Sequence, residues 1–255
     1  MNSNDTILNT QGLTKSFKGF TAVNDVILSV KRGSIHALIG PNGAGKTTCF
    51  NLLTKFLSPS SGKIFFNGLD ITNKKPAQIA RRGVIRSFQI SAVFPHLTVL
   101  ENVKVALQRS LGSEFHFWKP GSSLNVLNQR AEELLVEVGL EEFANEETLN
   151  LAYGRKRALE IATTLAMEPE LMLLDEPTQG MGHEDVERVT ELIDRVAKGR
   201  TILMVEHNMN VIASIANQIT VLQRGSILAE GPYKEVSQHP AVIEAYMGSH
   251  AEVTA

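Results

Sequence analysis

The chain has 255 residues, 43% of them hydrophobic, with 25 Lys plus Arg against 27 Asp plus Glu. That length and apolar content suit one large globular domain or two modest ones, and a net charge of -2 provides no general electrostatic pull toward nucleic acid or anionic lipid. The single cysteine, Cys49, cannot close an internal disulfide, the polar start "MNSNDTILNTQG" does not read as a secretion signal, and no window approaches the roughly 20 apolar residues that span a bilayer; a cytoplasmic chain with at most peripheral membrane association is expected.

In chain order, "ILNTQGLTKSF", "FTAVNDVILSV" and, further on, "GKIFFNG" are rich in β-formers with turn residues between them and predict an antiparallel sheet. Between the second and third of these, "SIHALIG" is short and apolar enough to be one buried strand. It runs into "GPNGAGKTT", that is Gly40, Pro41, Asn42, Gly43, Ala44, Gly45, Lys46, Thr47 and Thr48. The glycines let successive N–H groups turn inward around an anion, and "KTTCFNLLTKF" opens a helix whose positive N-terminal end points into the same hollow. Lys46 supplies a full positive charge and Thr47 a hydroxyl for Mg²⁺. With Gly at roughly 7% of residues, a chance G-x-x-x-x-G-K-[ST] in a chain of this length arises about once in a hundred sequences, so the loop reads as a nucleotide-phosphate site rather than an ordinary Gly-rich turn. Cys49, in the helix that follows, reads as a packed, unreactive thiol.

In "RSFQISAVFPHLT", Gln89 carries a neutral amide that could reach both Mg²⁺ and a water, although a lone Gln says little. The stretch from about 97 to 168 changes character: Thr98 and Glu101 have capping-box spacing, and Leu127, Ala131, Leu134, Leu135 and Val138 form a stripe at helical period. Within it, the ring-rich "GSEFHFWKPGSS" is either a loop folded onto the helices or a contact surface. "LMLLDEP" then reads as a buried strand ending in Asp175 and Glu176, at the sheet edge where ligands of open α/β folds bind. Asp175 would hold Mg²⁺, directly or through water, and Glu176 would orient and polarise the attacking water; two solvated acids at a strand end is the plainer alternative. Val186, Val189, Ile193 and Val196 predict an amphipathic crossover helix to "TILMVEH", a further parallel strand. That strand delivers His207, which could bond a γ-phosphate and the water.

The order of "GPNGAGKTT", Gln89, "LAYGRKRALEIA" at 151 to 162, "LLDEP" and His207 resembles the ATP-binding cassette ATPases over nearly the whole chain. The resemblance implies an α/β P-loop NTPase (RecA-like) core with an antiparallel β subdomain and an inserted α-helical subdomain. All of 1–255 would be one domain, with core and β subdomain over about 1–96 and 169–255 and the helical part over about 97–168. It also implies a head-to-tail dimer around two ATP molecules with Mg²⁺, each ATP held by one copy's phosphate loop and the other's Leu151, Ala152, Tyr153, Gly154 and Arg155. Phe17, in "TKSFKGF", would stack on adenine if it is not core. Many members carry L-S-G-G-Q where this chain has L-A-Y-G-R, and an Asp where it has Gly182, which puts communication between the two sites in more doubt than hydrolysis.

"FNLLTKFLSPSSGKIFFNGLDIT", "VEHNMNVI" and "GPYKEVSQHPAVIEAYMG" are similar to the larger ATP-binding subunit of branched-chain amino-acid importers. The partners this implies are an identical or paralogous second subunit, two membrane permeases and, indirectly, a solute-binding protein, with the chain on the cytoplasmic face of the inner membrane. The permeases would be met near Gln89 and the helical part. A lipid exporter ATPase, a cassette acting on nucleic acid or ribosomes, and a noncatalytic nucleotide-binding subunit are the alternatives; a single cassette without net basic charge or sustained heptads disfavours the nucleic-acid reading.

Overall fold

The computed structural model describes residues 5–87, 93–108 and 127–251, excluding the side chains of 247–251. Gln89 and the whole ring-rich segment at 112–123 lie outside the described residues. The N-terminal part is antiparallel. β1 (Thr6–Phe17) pairs with β2 (Phe20–Val26) through the two-residue turn at Lys18-Gly19, and with β3 (Ser29–Lys31). After β4 (Ile35–Ile39) and α1 (Lys46–Leu53), the chain returns to this sheet with β5 (Ser61–Phe66) and β6 (Leu69–Asp70). Asn67 and Gly68 between them, with φ of 49° and 74°, have the positive angles that a type I′ hairpin turn requires.

After the short α2 (Pro76–Ala80), β7 (Val84–Ser87) leads toward the helices α3 (Val99–Leu107), α4 (Asn128–Val138) and α5 (Tyr153–Leu165). Thr98 and Glu101 form the predicted reciprocal cap of α3. The predicted stripe from Leu127 to Val138 is buried. The chain then alternates β8 (Leu171–Asp175), α6 (His183–Val196), β9 (Thr201–Val205), α7 (Met209–Ile215), β10 (Gln218–Gln223) and β11 (Ser226–Gly231), and closes with α8 (Tyr233–Val236) and α9 (Pro240–Ala251).

The second sheet has the order β11-β10-β4-β9-β8-β7, parallel from β10 to β7 with β11 antiparallel at one edge. Its central strands β4, β8 and β9 are buried at every position and mostly apolar, because both faces are covered. Met172, Leu174, Ile202 and Met204 face the side of α5 and α6. Leu171, Leu173, Leu203 and Val205 face α1 and the antiparallel sheet. On α6, Val189, Leu192, Ile193 and Val196 are buried while Val186 is half-buried. Each such aliphatic contributes about 1.5–3 kcal/mol, against about 0.3–0.5 kcal/mol for a surface pair such as Arg188 with Glu184. Packing therefore holds the crossover in place, and the ion pairs decorate it. Among the described residues no helix is long and apolar enough to cross a membrane.

Candidate functional site

β4 is buried at every position, and the chain that leaves it must turn in a confined space. At Gly40, with φ 148°, an added Cβ would lie 2.1 Å from the Leu222 carbonyl oxygen; at Gly45, with φ 102°, it would lie 2.4 Å from that of Ala22. Glycine is required at both for lack of room as well as for backbone angle. Gly43, with φ 77° and nothing within 4 Å, needs only the angle. α1 begins at Lys46 with Gly45 as its N-cap, no side-chain cap and no acid in the first turn. Its terminal amides and dipole thus face the loop with no carboxylate in their own turn, the arrangement that binds phosphate.

Lys46 is buried and donates from Nζ to the carbonyl oxygens of Gly40 at 2.7 Å and Pro41 at 3.0 Å. Burial lowers its pKa, and the nearby Glu176 charge opposes that shift. Of the loop residues, Ala44 is buried, Pro41, Gly45 and Thr48 are half-buried, and Asn42, Gly43 and Thr47 are exposed. Tyr246 of α9 hydrogen-bonds the Gly40 backbone, and burial pushes its phenol up to about 12.

Asp175 ends β8 at 1% exposure. Its Oδ2 is ion-paired with Arg86 of β7, which also donates to Asn51 Oδ1 of α1 at 2.6 Å. Glu176 follows with φ 46°, a strained angle for a non-glycine residue of the sort held by surrounding structure at functional sites. Its N–H donates to the Val205 carbonyl at 2.9 Å, and its Oε1 lies 2.9 Å from His207 Nε2. The predicted Lys46, Glu176 and His207 are therefore gathered at one sheet edge, with Thr47 and Asp175 on adjoining elements. Among the described residues no three His, Cys, Asp or Glu side chains form a metal cage. Thr47 and Asp175 still suit Mg²⁺, which binds beside phosphates with few protein ligands and several waters.

α5 starts at Tyr153 with Ala152 as an uncapped N-cap residue. Leu151 is buried, Gly154 half-buried, and Ala152, Tyr153 and Arg155 are exposed. The Tyr153 hydroxyl donates to the Gln179 carbonyl at 3.3 Å, and the Arg155 guanidinium stacks 4.0 Å over the Phe143 ring. Among the described residues no hydrogen bond joins 151–155 to the 40–48 loop, and Ala152, Tyr153 and Arg155 lie at the surface. Phe17 is 45% exposed, not core, and pairs across the hairpin with Phe20, itself 63% exposed. The same β2 passes the 40–48 loop at Ala22.

Four polar residues absent from the sequence reading complete the site. Arg86 is one. Arg157 of α5 bonds Glu160 Oε2 at 2.6 Å and the Asp175 carbonyl at 3.2 Å, tying the 151–155 helix to the end of β8. Glu206, 3% exposed, accepts from Thr178 and from the backbone of His207 and Asn208. A charged residue inside or ending an apolar strand, as Arg86 and Glu206 are, was the available signal.

The ABC transporter family profile matches residues 23–179, and that of the branched-chain amino acid ATP-binding cassette transporters matches 226–252. The chain is 39% identical over 249 residues to the high-affinity branched-chain amino acid transport ATP-binding protein BraF of Pseudomonas aeruginosa, covering 95% of this chain and 98% of BraF. Its fold resembles the ADP conformation of MJ1267, an ATP-binding cassette of an ABC transporter, with TM-score 0.84 and 30% identity over 95% of this chain and 99% of that one. It also resembles the cassette MJ0796, solved as a dimer in a post-hydrolysis state bound to ADP and Pi, with TM-score 0.73 and 25% identity over 89% of this chain and 99% of that one.

Proposed function

This chain belongs to the ATP-binding cassette (ABC) transporter family, a family of ATPases, and from that premise we propose that it is the ATP-binding and ATP-hydrolysing subunit of an importer. The solute is a branched-chain amino acid or a related small polar molecule, in keeping with BraF and with the C-terminal match. The observation that carries the hydrolytic part is the 2.9 Å contact of Glu176 with His207, beside a Lys46 whose charge feels Glu176.

The loop amides and Lys46 hold the outer phosphates of ATP. Glu176 orients a water and takes its proton as the water oxygen bonds the γ-phosphorus and the bond to the β-phosphate oxygen breaks, leaving ADP and phosphate. His207 fixes the Glu176 carboxylate and bonds the γ-phosphate. Thr47 and, through water in view of its burial and its pairing with Arg86, Asp175 would hold Mg²⁺, which supplies charge neutralisation on the phosphates. Gln89 serves the same water and metal, and Phe17 stacks on adenine.

The second nucleotide contact comes from another copy or a paralogue, whose outward helix start at Ala152 to Arg155 faces the phosphate loop of this one, as expected of a head-to-tail dimer. Two permeases, one for each copy of the dimer, dock on the groove of Phe94, Val105, Ala106 and Met167 beside Ser87, where Phe94 is 53% exposed. In this reading the chain sits on the cytoplasmic face of the membrane, with the solute-binding protein reached only through the permeases. The test is Glu176→Gln: ATP binding is retained and turnover falls by roughly 10² to 10⁴. A variant that hydrolyses at the unmodified rate removes the assignment.

A further inference from the structure

Glu206 stands between the last residue of β9 and His207, and its carboxylate accepts four hydrogen bonds. Oε1 takes the N–H of Thr178 at 3.2 Å and the Thr178 hydroxyl. Oε2 takes the N–H of His207 at 2.6 Å and that of Asn208 at 3.1 Å. Two of these donors belong to the loop after β8, which carries Glu176, and two to the loop after β9, which carries His207. The same loops meet again where Glu176 N–H donates to the Val205 carbonyl and where Glu176 Oε1 meets His207 Nε2, both at 2.9 Å. The result is a closed ring: Glu176, Pro177, Thr178, Glu206, His207 and back to Glu176.

A buried carboxylate must be compensated by donors, and an apolar residue would follow β9 without that demand. What the acid adds is a fixed spacing between two loops that backbone pairing alone joins only at the strand ends. We propose that Glu206 is a positioning residue for hydrolysis: it sets the separation of Glu176 and His207, so that the Glu176 carboxylate meets the imidazole with one oxygen and the attacking water with the other. This rests on the reading of Glu176 as the group that activates water. Glutamine is a demanding replacement, because its NH₂ would face N–H donors on one of the two loops.

The test uses the full-length chain and compares the unmodified protein with Glu206→Gln and with the milder Thr178→Val, which removes one donor at nearly constant volume. Steady-state phosphate release gives kcat, calorimetry gives the ATP dissociation constant, and thermal unfolding monitors the fold. Glu206→Gln is expected to lower kcat roughly tenfold or more, and Thr178→Val to lower it in the same direction by less. ATP affinity is expected to stay within about twofold for both variants; the unfolding midpoint is expected to fall for Glu206→Gln, whose amide faces N–H donors, and to stay nearer that of the unmodified chain for Thr178→Val.

In a His207→Ala background, Glu206→Gln is expected to add little, since it acts through His207. An unchanged kcat, a parallel loss of affinity and fold, or full additivity with His207→Ala overturns the proposal. If Glu206→Gln does not fold, an unchanged kcat in Thr178→Val overturns it. A chain slowed by Glu176→Gln but not by Glu206→Gln loses this inference alone; a chain without hydrolysis loses the functional reading as well.

Discussion

The carboxylate of Asp185, in the first turn of α6, is packed against the Cα of Gly154, in the first turn of α5: a Cβ built on Gly154 would stand 2.6 Å from Asp185 Oδ1 and 2.8 Å from its Cγ. The glycine of the 151–155 stretch therefore answers to a neighbour in its own chain. Gly154→Ala is expected to displace Asp185, to cost about 1–3 kcal/mol and to lower ATPase activity. The double variant Gly154→Ala, Asp185→Ala should recover most of the stability in urea unfolding, and failure to do so would assign the cost to something other than this contact.

Arg86 is nearly enclosed and pairs with an Asp175 that is 1% exposed. Removing one partner of a buried pair leaves an uncompensated charge, so Arg86→Met is expected to destabilise by about 3–5 kcal/mol. Arg86→Met with Asp175→Asn should be more stable than Arg86→Met alone. Equal denaturation midpoints for the two would show that the pair does not carry the cost.

Stability should fall in mild acid because of His36. Thr220 gives its hydroxyl proton to Glu230, so it receives the Nε2–H of His36, while Nδ1 is buried without a partner. Burial lowers the His36 pKa from 6.5 to about 4. The unfolded chain then binds more protons than the native one between those values. The stabilisation is complete above the unfolded pKa and is lost as pH falls from about 6.5 to about 4, on the order of 3 kcal/mol in all. Urea midpoints across that range should show a dependence that His36→Gln reduces by about one proton; an identical slope in the variant would assign the effect elsewhere.

Cys49 is fully buried, and burial pushes its thiol up to about 12. A thiol-specific reagent at neutral pH is expected to leave the native chain unmodified and to react once denaturant unfolds it. Rapid labelling under native conditions would show that α1 opens.

The Gly-rich turn after β4, the carboxylate pair at the end of β8 and the place of His207 after β9 were legible because each is a local pattern: an apolar run short enough for a strand, followed directly by the residues it delivers. The helical stripe from Leu127 to Val138 and the Thr98 cap were legible for the same reason, each being a periodicity or spacing within one element. β7 and β10 were not singled out as strands. β7 has four residues with Arg86 among them, and that charge, which breaks the apolar pattern, is satisfied by Asp175 and Asn51 from distant parts of the chain. Leu192 completes the buried face of α6, while Val186, placed on that face by period alone, sits at its margin.

By itself the sequence determined the Gly-rich turn between β4 and α1, the strand that delivers Asp175 and Glu176, and many of the other strands and helices, since backbone angle, helical period and strand burial are set by neighbours in the chain. Only the tertiary structure decided that Asp175 faces an arginine, that Asp185 crowds Gly154, and that a buried Glu206 binds the loops of Glu176 and His207 together. Those contacts join residues on separate strands and helices, and nothing in local order encodes the distance between them. It arises from how the two faces of the sheet are packed.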